Sequence, residues 1–436
     1  PLYESETRHY SDDVWDGLFP EFGIQNPAKK STINNTSLPD PPAWWTDPHQ
    51  CQTLKYDCQR DTPRDGKEEW ENTLGKYFCS LDTCPPEAVP FVWSQVGEHW
   101  NAVLAMVQHQ LPQRVLFLGI GDSTNQQQMR SLSCLLEEAL GPSSVTMPQP
   151  FLPSNNETGR GKISNVWKRA QCQGGFLHMA RGREYLVCSK WAAKGFFRGN
   201  GNNHADIPEI IQGNIAARGN DSDVHLVIMV NIGAWINCHG QDCGNWHAQV
   251  HEFQSWWKIY QMNQNIPNVT LVIRDALPQH FHGADGRYTG PRGNSNCPAF
   301  SSRAVSGQQA VKIRNVEQCR TGEAILVDDP DVNMLRLPIW GLTAHFHQLH
   351  NMRPGDCTHY CTAATSFWNV MMVGIVVNHH GIKRYSPSSS SMDMDGNWLV
   401  SLLAHKSFEE TRLQLLAANI FVCPIKLVTT GSRRKN

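Results

Sequence analysis

Apolar residues run along this chain in two rhythms. Short, largely apolar runs over 114–120, 224–231, 269–276 and 334–339 have the length of strands buried on both faces of a sheet. Around them lie longer stretches whose apolar positions recur three and four residues apart. Val96, Trp100, Val103, Leu104 and Val107 set a helix over 92–109. Met129, Leu132, Leu135 and Leu136 set another over 124–140, stopped by Gly141 and Pro142. Helices are also expected over 245–262, around 308–318, over 366–378 and over 398–416. Strands that alternate with helices predict an α/β fold: a parallel sheet covered by helices on both faces, three layers in all.

The rhythm fails in three places, and these set the expected domain organisation. Residues 1–92 are rich in Pro, Asp, Asn and Trp and carry Cys51, Cys58, Cys79 and Cys84. They read as an irregular segment tied by disulfides and packed on the main domain, with a short helix near 68–77 at most. The main domain is expected over 93–385. Within it, 148–223 reads as a long irregular insertion holding Cys172, Cys188 and a strand over 184–188; a short strand over 144–147 precedes it. Residues 386–436 read as a serine-rich linker and a C-terminal helix with a basic tail.

Composition narrows the class. The chain has 436 residues, 40% hydrophobic and 18% charged, which is ample for a sizeable core. A formal net charge of −2 argues against nucleic acid as a partner. Fourteen cysteines, without repeated Cys-x-x-Cys pairs at zinc-finger spacing, point to disulfides. Glycosylation sequons at Asn34, Asn35, Asn156, Asn220 and Asn268 agree, and N-glycans are expected at some of them. The expected location is the secretory pathway: the Golgi lumen, the cell wall or the extracellular space. No apolar run reaches the roughly 18 residues of a membrane span. The chain opens at Pro1 and not at a methionine, which leaves room for a leader or a membrane anchor ahead of it. Fifteen tryptophans and nine tyrosines offer stacking faces for sugars, although core packing accounts for most of them.

The densest chemistry lies in Arg353-Pro-Gly-Asp-Cys-Thr-His-Tyr-Cys361. An imidazole three residues after a carboxylate can donate one ring N–H to it, which fixes the tautomer and frees the other nitrogen as a base. Asp356 and His359 stand in that relation, flanked by Cys357 and Cys361, which are expected to hold the loop through disulfides. The nucleophile that such a pair needs is best supplied by Ser123, where Val115-Leu-Phe-Leu-Gly-Ile-Gly-Asp-Ser123 runs from an apolar strand through a glycine turn into a helix. Asp122 is expected to cap that helix. His345, His347 and His350 have the look of a metal cluster but lack a nearby acidic ligand at a known spacing, so structural roles are expected for them and no metal.

These residues resemble the signatures of the PC-esterase and trichome birefringence-like family, within the SGNH/GDSL hydrolases. Gly121-Asp-Ser-Thr-Asn-Gln-Gln-Gln-Met-Arg-Ser-Leu-Ser-Cys-Leu-Leu136 is similar to the family's Gly-Asp-Ser block, with Gln126-Gln127-Gln128 where the family has Arg-Asn-Gln. Asp356-Cys-Thr-His-Tyr-Cys361 with Trp368-Asn369 is similar to its second block, and Asn231-Ile-Gly-Ala-Trp235, Arg274 and Pro278-Gln-His-Phe281 look like intervening ones. The family's N-terminal Cys-rich motif is not recognisable. The resemblance implies a flavodoxin-like SGNH sheet and a catalytic set of Ser123, His359 and Asp356. It also implies an oxyanion hole from the Ser123 N–H and the Asn231 side chain, and substrate contacts from Arg274, His280 and Trp235.

The function expected is O-acyl transfer, O-acetyl transfer above all, to a polysaccharide or glycan through an acyl-Ser123 intermediate. No cofactor is expected to bind tightly; the acyl donor, acetyl-CoA or an acetylated intermediate, enters as a substrate. An O-acetyl esterase would use the same residues with water as acceptor. A non-catalytic extracellular glycan-binding or structural glycoprotein is the third alternative, and the intact Ser, His and Asp set weighs against it.

Overall fold

The run Val115-Leu-Phe-Leu-Gly-Ile120 is apolar on both sides of a strand, so both sides must be covered. In the computed structural model it forms β1, Arg114–Gly121, at the centre of the sheet. The structure describes residues 40–55, 84, 88–146, 173–191, 224–231, 241–264, 268–281, 297–298, 334–337, 339–343, 346–350 and 355–381, all within the unit Ser37–Asp395.

Six further strands are described: β2 (Val145–Thr146), β3 (Gln173–Ala180), β4 (Arg183–Trp191), β5 (Val224–Asn231), β6 (Val269–Arg274) and β7 (Met334–Leu337). They lie in the order β2-β3-β4-β1-β5-β6-β7. β4, β1, β5, β6 and β7 are parallel, whereas β2 and β3 run antiparallel at one edge. Numbered among themselves, the parallel strands follow the order 2-1-3-4-5, and the sheet changes its direction of growth between β1 and β5. In open α/β sheets that is where a crevice forms outside the carboxyl ends.

Helices cover both faces. On one, Leu116, Leu118 and Ile120 of β1 join Leu226, Ile228 and Val230 of β5 in a buried cluster closed by Val250, Phe253, Trp257 and Tyr260 of a long helix. The helices are α1 (Ala88–Ala105, running on into a π-helical turn to Gln110), α2 (Ser123–Leu140), α3 (Gln241–Gln264, the one just mentioned), α4 (Trp340–Thr343) and α5 (Thr362–Gly381). The opposite face of β1 carries glycines, which let α2 settle closely: a methyl group at Gly119 would overlap Met129 of α2. α5 packs on α2 and α1. No helix among the described residues is long and apolar enough to cross a membrane.

Within the N-terminal segment, residues 40–55 are held by two tryptophans and a cysteine. Trp45 is fully buried, edge-on to Trp93 and Trp100 of α1 at 5.5 and 5.6 Å between ring centroids. The indole N–H groups of Trp44 and Trp100 both donate to Glu138, each at 2.8 Å. Cys51 is bridged to Cys134 of α2.

Two expectations change. The sheet is mixed and not wholly parallel. The stretch read as an irregular insertion, 148–223, supplies β3 and β4, with β4 directly beside β1. The physical reason is the turn Arg181-Gly182, where both residues take positive φ (51° and 77°) as a two-residue hairpin needs. β3 carries an exposed Met179 beside a buried His178, so its apolar alternation is broken. The helices expected near 68–77, around 308–318 and over 398–416 lie outside the described residues, as does the serine-rich linker.

Candidate active site

β1 ends at Gly121 and α2 begins at Ser123, so a single residue, Asp122, makes the corner. Its carboxylate accepts from the N–H groups of Thr124 (3.0 Å) and Asn125 (3.3 Å) and from the Thr124 hydroxyl (2.6 Å), the expected cap. The Asp122 N–H donates to the Asn231 carbonyl at 3.2 Å, lacing the ends of β1 and β5 together. A side chain at Gly121 would collide with that same carbonyl oxygen. Ser123 thus sits at the carboxyl edge of the sheet, beside the reversal point, on the first turn of an 18-residue helix.

Beneath it lies a fully buried guanidinium. Arg274, the last residue of β6, donates through Nη2 to the Thr124 hydroxyl (2.7 Å) and to Asn231 Oδ1 (2.9 Å), and through Nη1 to Gln128 Oε1 (3.2 Å). It lies 3.8 Å from the Asp122 carboxylate and 5.9 Å from the Trp368 ring centroid. Burial lowers its pKa to about 10 against the opposing pull of Asp122 and Asp275, so it stays charged at neutral pH. Asn231 returns a hydrogen bond from Nδ2 to the Arg274 carbonyl at 2.8 Å. Arg274 and His280 were expected along a substrate groove, yet neither is exposed. Asn231 was expected to turn its amide toward an oxyanion. That amide is buried, with its nitrogen on the Arg274 carbonyl and its oxygen on the guanidinium. The reason is register: Asn231 pairs with Gly121 across the sheet, and its side chain meets the Arg274 of the next strand.

The other half of the site comes from the loop before α5. His359 Nε2 is 2.6 Å from Ser123 Oγ, across a separation of 236 residues. His359 Nδ1 faces both Asp356 oxygens, at 3.0 and 2.9 Å. Asp356 Oδ1 also accepts from the N–H groups of Thr358 and His359, each at 3.2 Å. Burial pushes the Asp356 pKa up, but the His359 hydrogen bond and charge and these two N–H groups together hold it well below the usual carboxylate range. The carboxylate stays ionised at neutral pH, as an orienting partner must.

Cys357 and Cys361 do not pair with each other. Cys357 is bridged to Cys297 and Cys361 to Cys84, so each side of the loop is tied to a different part of the chain. Cys188 is also disulfide-bonded.

Two holds on this loop were not assigned beforehand. Gln127 donates to the Tyr360 carbonyl (2.9 Å) and accepts from the Tyr360 N–H (3.3 Å), gripping the residue after His359 from α2. Its position four residues after Ser123 puts it on the same helix face, a signal present in the sequence. His350 approaches the His359 carbonyl at 2.8 Å, and His280 lies 2.7 Å behind it. Trp235 and the sequons at Asn34, Asn35, Asn156 and Asn220 lie outside the described residues; Asn268 is half-buried just ahead of β6. The chain matches no protein-family model and no curated protein, so its resemblance to a known family rests on the short motifs themselves.

Proposed function

We propose that this protein is a serine acyltransferase that moves an O-acyl group, acetyl above all, onto a polysaccharide or glycan through an acyl-Ser123 intermediate. The observation that carries the proposal is the contact of Ser123 Oγ with His359 Nε2 at 2.6 Å while Nδ1 of the same ring faces Asp356. The strand order, 2-1-3-4-5 in the parallel part, supports an SGNH-type, flavodoxin-like sheet, and the motifs support membership of the PC-esterase relatives.

The chemistry follows from the protons. Ser123 Oγ attacks the acyl carbonyl as His359 Nε2 takes its proton, and Asp356 stabilises the imidazolium. The oxyanion forms beside the start of α2, where the N–H of Ser123 has no acceptor within the helix and the dipole favours negative charge. Such a donor contributes about 3 kcal/mol in the transition state. The carbonyl re-forms, the donor's leaving group departs, and His359 returns the proton to it. An acceptor hydroxyl then repeats the sequence on acyl-Ser123, with His359 again as base. Asn231 and Arg274 serve this step by fixing the Ser123 corner, not by touching the oxyanion.

The test is reaction with a fluorophosphonate, which phosphorus-labels an activated serine whatever its natural substrate. Labelling at Ser123 by peptide mass spectrometry, lost in Ser123→Ala and His359→Ala, is the expected result. Labelled protein should also lose transfer from an acetyl donor to an oligosaccharide panel. A wild-type serine that stays unreactive overturns the proposal.

A further inference from the structure

His280 and His350 are both buried, and the acyl-transfer chemistry does not use either ring. Their protons can be placed by elimination. The His359 carbonyl can only accept, so His350 Nδ1, 2.8 Å away, carries a hydrogen and donates it. Burial pushes the His350 pKa down to about 4, so the ring is neutral and its Nε2 is an acceptor. His280 Nδ1, 2.7 Å from that Nε2, must then be the donor. The Tyr360 hydroxyl agrees: it donates to the Pro278 carbonyl at 2.9 Å and leaves its oxygen toward His280 Nδ1 at 3.4 Å. A single line of hydrogen bonds runs from His280 through His350 to the backbone of His359.

The line does something that Asp356 cannot. Asp356 belongs to the same loop as His359 and orients the ring only within that loop. The distance from the loop to Ser123 has to be set from another element. His350 precedes the loop and pairs in a β-bridge with Tyr360, and its ring lies 4.3 Å from the Tyr360 ring centroid. His280 follows β6, whose last residue, Arg274, holds the first turn of α2. One strand end thus steadies both the nucleophile's helix and the base's loop.

We propose that His350, seated on His280, is a positioning residue that sets the reach of His359 to Ser123; the proposal rests on the acyl-enzyme reading above. Displacing a reacting group by about 1 Å can lower a rate roughly 100-fold. The experiment measures the second-order rate of fluorophosphonate labelling at Ser123 in the full chain. His350→Leu, which removes the donor to the His359 carbonyl, should label roughly 100-fold more slowly. His350→Asn, whose amide sits where ring Nδ1 does, should recover most of the rate. Equal rates in wild type and His350→Leu overturn the positioning role and leave the acyl-enzyme reading intact. Equal losses in both variants make the role structural and overturn it too. A wild type that does not label removes both. Ring nitrogen-15 spectra of the wild type stand as a second measurement that needs no variant to fold. Both histidines should carry a proton on Nδ1, with His350 Nε2 unprotonated, and His350 protonated on Nε2 overturns the line of bonds.

Discussion

At the scale of single residues, Asp356 makes the sharpest prediction. Its Oδ1 accepts from two backbone N–H groups as well as from His359, and its Oδ2 faces His359 Nδ1 at 2.9 Å. In Asp356→Asn the amide oxygen must stay with the backbone donors, so the NH2 group takes the place of Oδ2 and faces Nδ1. That forces His359 to carry its proton on Nε2, where it cannot accept one from Ser123. Labelling of Ser123 should fall by on the order of 10⁴-fold while the fold persists, and a rate within tenfold of wild type contradicts the assignment. Ser123, Asp356 and His359 were legible in the sequence because their signals are local: a glycine corner after an apolar run, and a carboxylate three residues before an imidazole. The Asn231–Arg274 lock was not, because it depends on which strands lie side by side and in what register. A groove role for Arg274, which the resemblance alone implied, does not fit a side chain that is fully buried.

At the scale of elements, the corner between β1 and α2 depends on close approach. In Gly121→Ala the new methyl group overlaps the Asn231 carbonyl, which also receives the Asp122 N–H. The ends of β1 and β5 must part or the corner must rotate, and either displaces Ser123. The variant should lose roughly 1–3 kcal/mol of stability and label more slowly than its stability loss alone explains. Gly182→Ala is the control. It strains a hairpin turn at φ 77° with nothing within 4 Å of the added carbon, so denaturation should register the change and labelling should not. That hairpin marks where element-level reading stopped. β1, β5 and β6 announce themselves as apolar runs, whereas β3 lies at an antiparallel edge and shows a buried His178 and an exposed Met179 in place of alternation. β4 was found as a strand, but nothing in its own residues says that it pairs with β1. The disulfides were legible as chemistry and not as connectivity. Cys361 finds its partner 277 residues away, and no spacing rule reaches that far.

At the scale of the whole molecule, the buried histidines tie stability to pH. Burial pushes the pKa of His178 and of His350 down to about 4, so both stay neutral in the folded chain through mildly acidic conditions. In the unfolded chain a histidine titrates near 6.5. Between these values the unfolded state binds protons that the folded state refuses, and stability falls as pH falls. The contribution is fully present above the unfolded value and lost by about pH 4, roughly 3 kcal/mol for each histidine. That is a large share of the 5–15 kcal/mol that ordinary domains possess. Asp356 acts in the same direction at lower pH, since its pKa is held below the unfolded value and its share goes as the carboxylate protonates. Glu137 acts oppositely: burial raises its pKa, so its share declines as pH rises through the carboxylate range. The expected outcome is a urea midpoint that drops steadily from pH 7 to pH 4.5 at nearly constant slope. In His178→Gln, whose amide can reach the Ser133 hydroxyl that the ring now meets at 2.7 Å, the drop should shrink by one histidine's share. A midpoint that stays level over that range, or a variant with the wild-type dependence, would show that these rings are not neutral and enclosed in the folded protein.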